Sequence, residues 1–405
     1  MTSTQNLTLI IVIMTYAGIA VGSVPRYRMN RTTIALVGAA LLLATRALDE
    51  KQAFEAIDLG TLMLLFALML VNVNLRMAGF FNWIGNAVLR IAHTPQMLLA
   101  LVIGAAGVLS ALFLNDPVCL LFTPLVVDLT KRAHRDPIPY LIGLATAANI
   151  GSTATITGNP QNLIIGQASG ISYVDFLVHL APVALIGLAI NWLVIVLVYP
   201  NEFRGKLQNV NLPEPRVYPP LLWRVILVVL MMLIAFLIGL PIASSAFIAA
   251  ALLLISRLHV HKLLKIEWEL LAFFGGLFIV THAIEVTGLS ALLFEHIKGF
   301  VGGGVAPLSV MTAGLSNLVS NVPAVLLFKP QIPNFPNPQQ AWLTLAMSST
   351  LAGNLTLLGS VANLIVAEVA AGRKVKLTFM AYLRVGIPVT ILTLLIGIIW
   401  LSLVV

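Results

Sequence analysis

Leu114-Asn-Asp-Pro-Val-Cys-Leu-Leu-Phe-Thr-Pro124 and Ser320-Asn-Val-Pro-Ala-Val-Leu-Leu-Phe-Lys-Pro330 are two copies of one pattern, ending 206 residues apart. Each copy is followed by a Gly/Asn/Thr-rich interruption of an apolar run, Gly151 to Asn162 in the first case and Gly353 to Asn363 in the second. In a membrane protein, paired interruptions at matching positions of two halves point to a transporter's binding site, because a broken helix offers its free backbone ends as ligands.

Composition places the chain in a membrane. Its 405 residues are 59% hydrophobic and 9% charged, with a mean hydropathy of +1.00. That is too little charge to solvate a globule of this size. Apolar runs of about 15 to 28 residues recur along the whole length, most of them enough to cross the hydrocarbon layer as helices. The net charge of +8 fits basic cytoplasmic loops, so no nucleic-acid partner is expected. The first run, Leu7 to Val21, lacks a basic flank and a small-residue cleavage site, and reads as a span rather than a cleaved leader. The single cysteine, Cys119, excludes an internal disulfide and a thiolate metal cluster.

The repeat extends beyond the quoted motif. Arg46 aligns with Arg257, Asp58 with Glu267, and residues 66–79 with 275–288. Each half therefore reads as three spans, a hairpin, a broken span and a final span. The first half (1–200) has these near 7–21, 33–47, 59–76, 96–132, 138–166 and 176–199. The second (221–405) has them near 221–239, 243–257, 268–285, 305–330, 341–367 and 378–404. A polar cytoplasmic linker, 201–220, joins the halves. Residues 80–93 and 290–300 read as matching amphipathic helices on the membrane surface.

Charge decides whether 96–132 crosses or turns back. If both hairpins are re-entrant, 19 of the 23 Lys and Arg residues fall on one face, leaving Arg46, Lys51, Lys298 and Lys329 on the other. The positive-inside rule then makes the crowded face cytoplasmic. The expected fold is an all-α polytopic membrane protein of two inverted-topology repeats. Each repeat has five spanning helices, one discontinuous, and one re-entrant hairpin. Both termini are expected outside, at the inner (plasma) membrane.

The hairpin tips, Asn115-Asp116-Pro117 and Asn321-Val322-Pro323, and the broken spans should converge, since irregular backbone at this depth must be buried or line a wet cavity. The candidate substrate ligands are Asn115, Asp116, Ser152, Thr153, Thr155, Asn159, Asn162, Ser320, Asn321, Gly353, Asn354, Thr356, Ser360 and Asn363. These are neutral hydrogen-bonding groups with one carboxylate. Asp116 is the one ionisable side chain expected near the bilayer centre and is the candidate for proton or cation coupling, although Asp before Pro is also an ordinary helix N-cap. Lys329 should snorkel to the outer interface. Glu285, His282 and His179 should sit at outer span ends, His259 and His261 in a basic loop, and Cys119 in hairpin packing. No nucleophile–base pair appears, so an enzyme is not expected, and neither a cofactor nor a metal is implied.

With Leu-Asn-Asp-Pro in the first hairpin and Gly-Asn-Leu-Thr-Leu-Leu-Gly-Ser-Val-Ala-Asn in the second broken span, the chain resembles the Ion Transporter superfamily over its whole length. The branch it resembles holds the arsenite/antimonite efflux permeases (ArsB type) and the NhaD-type sodium/proton antiporters. The resemblance implies secondary active transport, with substrate held between hairpin tips and unwound helices and a scaffold/transport division that moves as an elevator. By the same analogy it allows a homodimer. Dicarboxylate and citrate carriers of the superfamily carry Ser-Asn-Thr at their tips, whereas this chain has Leu114-Asn115-Asp116 and Ser320-Asn321-Val322, which disfavours a dicarboxylate. The expected activity is proton-coupled arsenite/antimonite efflux. Sodium/proton antiport and transport of an inorganic or organic anion remain open. No Walker-type phosphate loop occurs, so any use of ATP requires a separate ATPase subunit.

Overall fold

The computed structural model describes residues 2–21, 23–24, 29–207, 217–255, 266–290, 292, 294–295, 299 and 302–405. Arg26, Arg28, Arg216, Arg257, His259, His261, Lys262, Lys265 and Lys298, together with much of 290–300, lie outside the described residues.

The chain is built of helices. In order they are α1 (Ser3–Val21), α2 (Arg31–Ala44), α3 (Glu50–Glu55), α4 (Leu59–Ala78), α5 (Phe80–Ile91), α6 (Pro95–Leu112), α7 (Asn115–Arg132), α8 (Pro137–Ser152) and α9 (Pro160–Ser169). There follow α10 (Tyr173–Val198), α11 (Pro219–Leu237), α12 (Ile242–Leu254), α13 (Trp268–Val286), α14 (Val305–Val319), α15 (Asn321–Phe328), α16 (Pro338–Ala352), α17 (Val361–Gly372) and α18 (Phe379–Val404). The one sheet among the described residues is a short antiparallel ladder of β1 (Ser23–Val24) and β2 (Met29–Asn30) leading into α2.

Local sequence fixes many of the helix starts. Thr94-Pro95, Asp136-Pro137, Asn159-Pro160 and Asn337-Pro338 each place a capping side chain before a proline at the first helical position, and each cap accepts a backbone N–H two or three residues on. Proline costs nothing there, because that amide has no partner inside the helix.

Seven helices, α1, α4, α6, α10, α11, α13 and α18, are long and apolar enough to cross a bilayer unaided. This set differs from the ten spans read from sequence. Helices α2 and α12 have 14 and 13 residues, a rise of about 20 Å against about 30 Å of hydrocarbon. Conversely α6, expected as one arm of a re-entrant hairpin, has a spanning length of 18 residues. Segment 96–132 is nonetheless a helical pair, α6 packing on α7 across the break at Phe113 and Leu114. In the same way α14 packs on α15 across Ser320, whose φ of 85° is unusual for a residue with a Cβ.

Packing sorts the helices into two groups. Helices α1, α2, α4, α11, α12 and α13 pack mainly among themselves, and the hairpins, broken helices, α10 and α18 form the other group. The broken helices are its centre. Nearly every residue of α8 and α16 is buried, small polar side chains such as Thr146, Asn149, Ser348 and Thr350 included. By contrast α10, α11 and α18 expose large apolar side chains such as Leu185, Leu197, Leu227, Ile234, Leu395 and Ile399, the surface lipid would cover. Contacts inside are close. A Cβ on Gly151 of α8 would stand 2.1 Å from the Gly107 carbonyl oxygen of α6, so this crossing requires glycine.

Candidate functional site

Both broken spans are closed by the same device. In the first, helix α8 stops at Ser152 and α9 starts after Asn159; Asn162 donates its side-chain amide to the carbonyls of Ser152 (3.0 Å) and Thr155 (2.9 Å). In the second, Asn363 donates to Gly353 O (2.8 Å) and Thr356 O (3.1 Å). Donor and both acceptors keep a constant offset of 201 residues. The carbonyls freed by ending a helix in an apolar interior are thereby satisfied, where leaving each unpaired would cost about 1–3 kcal/mol.

Asn149, which the sequence reading passed over, joins the breaks to the first hairpin. Its Oδ1 accepts from Asn115 Nδ2 (3.0 Å) and Ser360 Oγ (3.1 Å), and its Nδ2 donates to Asn354 Oδ1 (2.9 Å) and Asn363 Oδ1 (3.1 Å). Two accepted and two donated bonds saturate a primary amide. A second node is Thr350, whose hydroxyl accepts from Asn159 Nδ2 (3.2 Å) and Gln161 Nε2 (3.1 Å).

Beside this network lies a cavity of about 650 Å³. It is lined by both hairpin tips (Asn115 and Asp116; Ser320, Asn321 and Val322), by the starts of α9 and α17 (Pro160 and Gln161; Ser360 and Val361), and by the starts of α2 and α13 (Asn30 to Thr32; Ile266 to Leu270, with Phe273 and Phe274). Asn115 and Asn321 are 5% and 9% exposed, and the Oδ1 of each has no partner among the described residues. Gly353 sits against Asn321, where a Cβ would come within 3.1 Å of Nδ2.

Of the candidates named from sequence, Asn115, Asp116, Ser320, Asn321 and Ser360 line this cavity. Ser152, Thr153, Thr155, Asn159, Asn162, Gly353, Asn354, Thr356 and Asn363 are not among its lining residues. Several of them hold the breaks: Ser152 Oγ and Thr153 Oγ1 bond to Asn149 O, Thr155 Oγ1 to Ala111 O, and Asn159 caps α9 and reaches Ser152 Oγ.

Two expectations change. Asp116 is not an N-cap: Leu114 holds that position, and Asp116 lies in the first turn of α7 with its side chain at the cavity. Nor is it the sole charge, because Arg31, half-buried, and Glu267 and Glu269, exposed at the mouth, line the same cavity. Asp116 feels the charges of both Glu267 and Arg31. Lys329 has a partner that its place in the sequence did not name, its Nζ pairing with Asp58 Oδ2 at 3.8 Å. His282 lies 3.6 Å from Glu285, His179 bonds Asp175 O on an exposed turn, and Cys119 is fully buried. Arg31, Glu267 and Glu269 stand next to the basic loops in sequence, so no local signal marked them as cavity residues. For Gln161, the interruption in which it stands was the signal.

A family model described as citrate transporter (CitMHS) matches residues 9–352. The chain belongs to this family. Among its relatives, the silicon efflux transporter LSI3 of Oryza sativa subsp. japonica is 32% identical, with 93% of each chain covered. The "Putative transporter arsB" of Dictyostelium discoideum is 23% identical over 91% of this chain and 87% of its own. In fold the chain is similar to the Alcanivorax borkumensis YdaH transporter, with a TM-score of 0.60 at 14% identity, covering 99% and 97% of the two chains. The family's members and the fold neighbour are membrane transporters, and the apolar helices make this chain a multi-pass membrane protein of the same kind.

Proposed function

We propose that the protein is a secondary carrier that exports arsenite or antimonite, as the neutral trihydroxide, in exchange for protons across the plasma (inner) membrane. The observation that carries this is the cavity lining. Asn115 and Asn321, beside Ser320, Gln161 and Ser360, bring neutral amides and hydroxyls to the lining, the chemistry that suits the hydroxyls of a small neutral acid. Three carboxylates against one guanidinium repel a multiply charged anion such as citrate. Relatives named for silicon efflux and for arsB carry the same theme, because silicic and arsenious acids are both neutral hydroxides near pH 7.

Asp116 is the coupling group in this reading. Protonated, it donates to a bound hydroxyl; ionised, it draws the next proton in. The halves 1–200 and 221–405 act as inverted repeats that exchange access to the site, a reading supported by the identical closure of their two breaks.

The test is uptake into energised inside-out vesicles of arsenite, silicic acid and citrate, with and without a protonophore, for the parent and Asp116→Asn. Arsenite accumulation that needs both the proton gradient and Asp116 supports the proposal. The acidic mouth also suits a cation, so sodium-driven proton movement without metalloid uptake would shift the assignment to sodium/proton antiport. Citrate accumulation would overturn the substrate class.

A further inference from the structure

Helix α13 connects two cavities. Glu267 and Trp268, at its start, line the large one, while Thr281, His282 and Glu285, near its end, line a second pocket of about 220 Å³. On this helix the two linings come within one turn of each other, Phe274 belonging to the large cavity and Phe278 to the small one, a rise of about 6 Å. Helix α15 packs against α13 and stands between them: Asn321 at its start faces the large cavity, and Leu326 and Lys329 at its far end face the small one. The second hairpin is therefore the wall between the site and the opposite side of the protein.

An ion pair fastens that wall. Lys329 belongs to the group of hairpins and broken helices, and Asp58 caps α4 in the other group. Their side chains are 34% and 21% exposed, and Nζ lies 3.8 Å from Oδ2. The carboxylate is held in place, since Oδ1 accepts from Thr61 N and Oδ2 from Thr61 Oγ1, both at 2.9 Å. Among the described residues no such ion pair stands at the matching place in the first copy of the motif. There Thr123 replaces Lys329 and donates its hydroxyl to Cys119 O at 2.6 Å. Glu267, the counterpart of Asp58, faces the open mouth of the large cavity. The two copies of the motif therefore differ in this pair, which stands in the small pocket, while Glu267 lines the large cavity.

We infer that Asp58 and Lys329 form a latch that keeps the hairpin 305–330 closed on the α4 side while the site is open past Glu267, and that the pair parts when access alternates. The inference rests on the carrier reading, but its test measures accessibility and does not depend on the solute. Leu326, 3% exposed at the foot of α15, is the reporter position. In a Cys119→Ala background, Leu326→Cys is labelled in oriented proteoliposomes with a membrane-impermeant thiol reagent. Adding Lys329→Met or Asp58→Asn should raise the labelling rate about fivefold, the scale of losing one partly screened pair, and the exchange Asp58→Lys with Lys329→Asp should return it to the parent value. Unchanged rates in both single variants would overturn the latch. So would equal acceleration in the exchanged pair, which would mean that substitution merely loosens the packing. Absence of metalloid transport in the parent would leave either result readable.

Discussion

Asn115 gives its side-chain N–H to Asn149 Oδ1 at 3.0 Å, and this one bond orients the first hairpin tip. Asn115 is thereby fixed in the cavity lining, its Oδ1 buried and without a partner among the described residues. Because Asn149 simultaneously holds Asn354, Asn363 and Ser360, the tip and the second broken span are positioned by a single amide.

Replacing that amide should be costly. Asn149→Leu strands buried polar groups on three elements and is expected to destabilise the protein by about 3 kcal/mol, read as a lower thermal unfolding midpoint in detergent. Asn149→Asp keeps the acceptor for Asn115 and Ser360 and should lose less. Equal losses in the two variants would mean that the acceptor side of Asn149 carries nothing.

The two stapling asparagines should behave alike. Asn162→Leu and Asn363→Leu each remove two hydrogen bonds to backbone carbonyls; Ser152 O, Thr155 O and Thr356 O keep a second donor in Asn159 Nδ2, Gly158 N and Gly359 N, so each substitution should cost about 1–3 kcal/mol. Denaturation of the purified variants checks this, and a large loss in one with none in the other would show that the two breaks are held differently.

Asp116→Asn should insert and fold, since the substituted amide is uncharged and nearly isosteric, but proton-driven accumulation should fall to background. Vesicle uptake normalised to protein content decides it. Retained proton-driven uptake would move the coupling role to another cavity carboxylate, Glu267 or Glu269.

Outside the membrane, burial raises the Glu202 carboxyl above the usual glutamate value; the Asp136 carboxylate adds to this, while the Asp136 amide, Arg135 and Tyr140 oppose it. A raised value means that the folded protein holds this proton more tightly than the unfolded chain. Its contribution is present in full below the ordinary glutamate pKa and is lost as pH rises through the raised one. Glu202→Gln should flatten the stability profile over that mildly acidic window, and an unaltered profile would show that Glu202 does not titrate there.

The sequence by itself determined that the chain is a helical membrane protein with a doubled motif, where its helices break and which motif residues sit at the hairpin tips. Those features are local. Hydropathy reports burial in lipid, and Gly158, Asn159 and Pro160 together stop one helix and start another wherever they stand. Only the tertiary structure decided which polar side chains face the cavity and which hold the breaks, because Asn162 and Asn115 are the same residue type in similar settings. It also decided that Arg31 and Glu267, 236 positions apart, share a cavity with Asp116, and that Lys329 meets Asp58. Charge pairing at such separations depends on how the two groups of helices pack, and no periodicity along the chain records it.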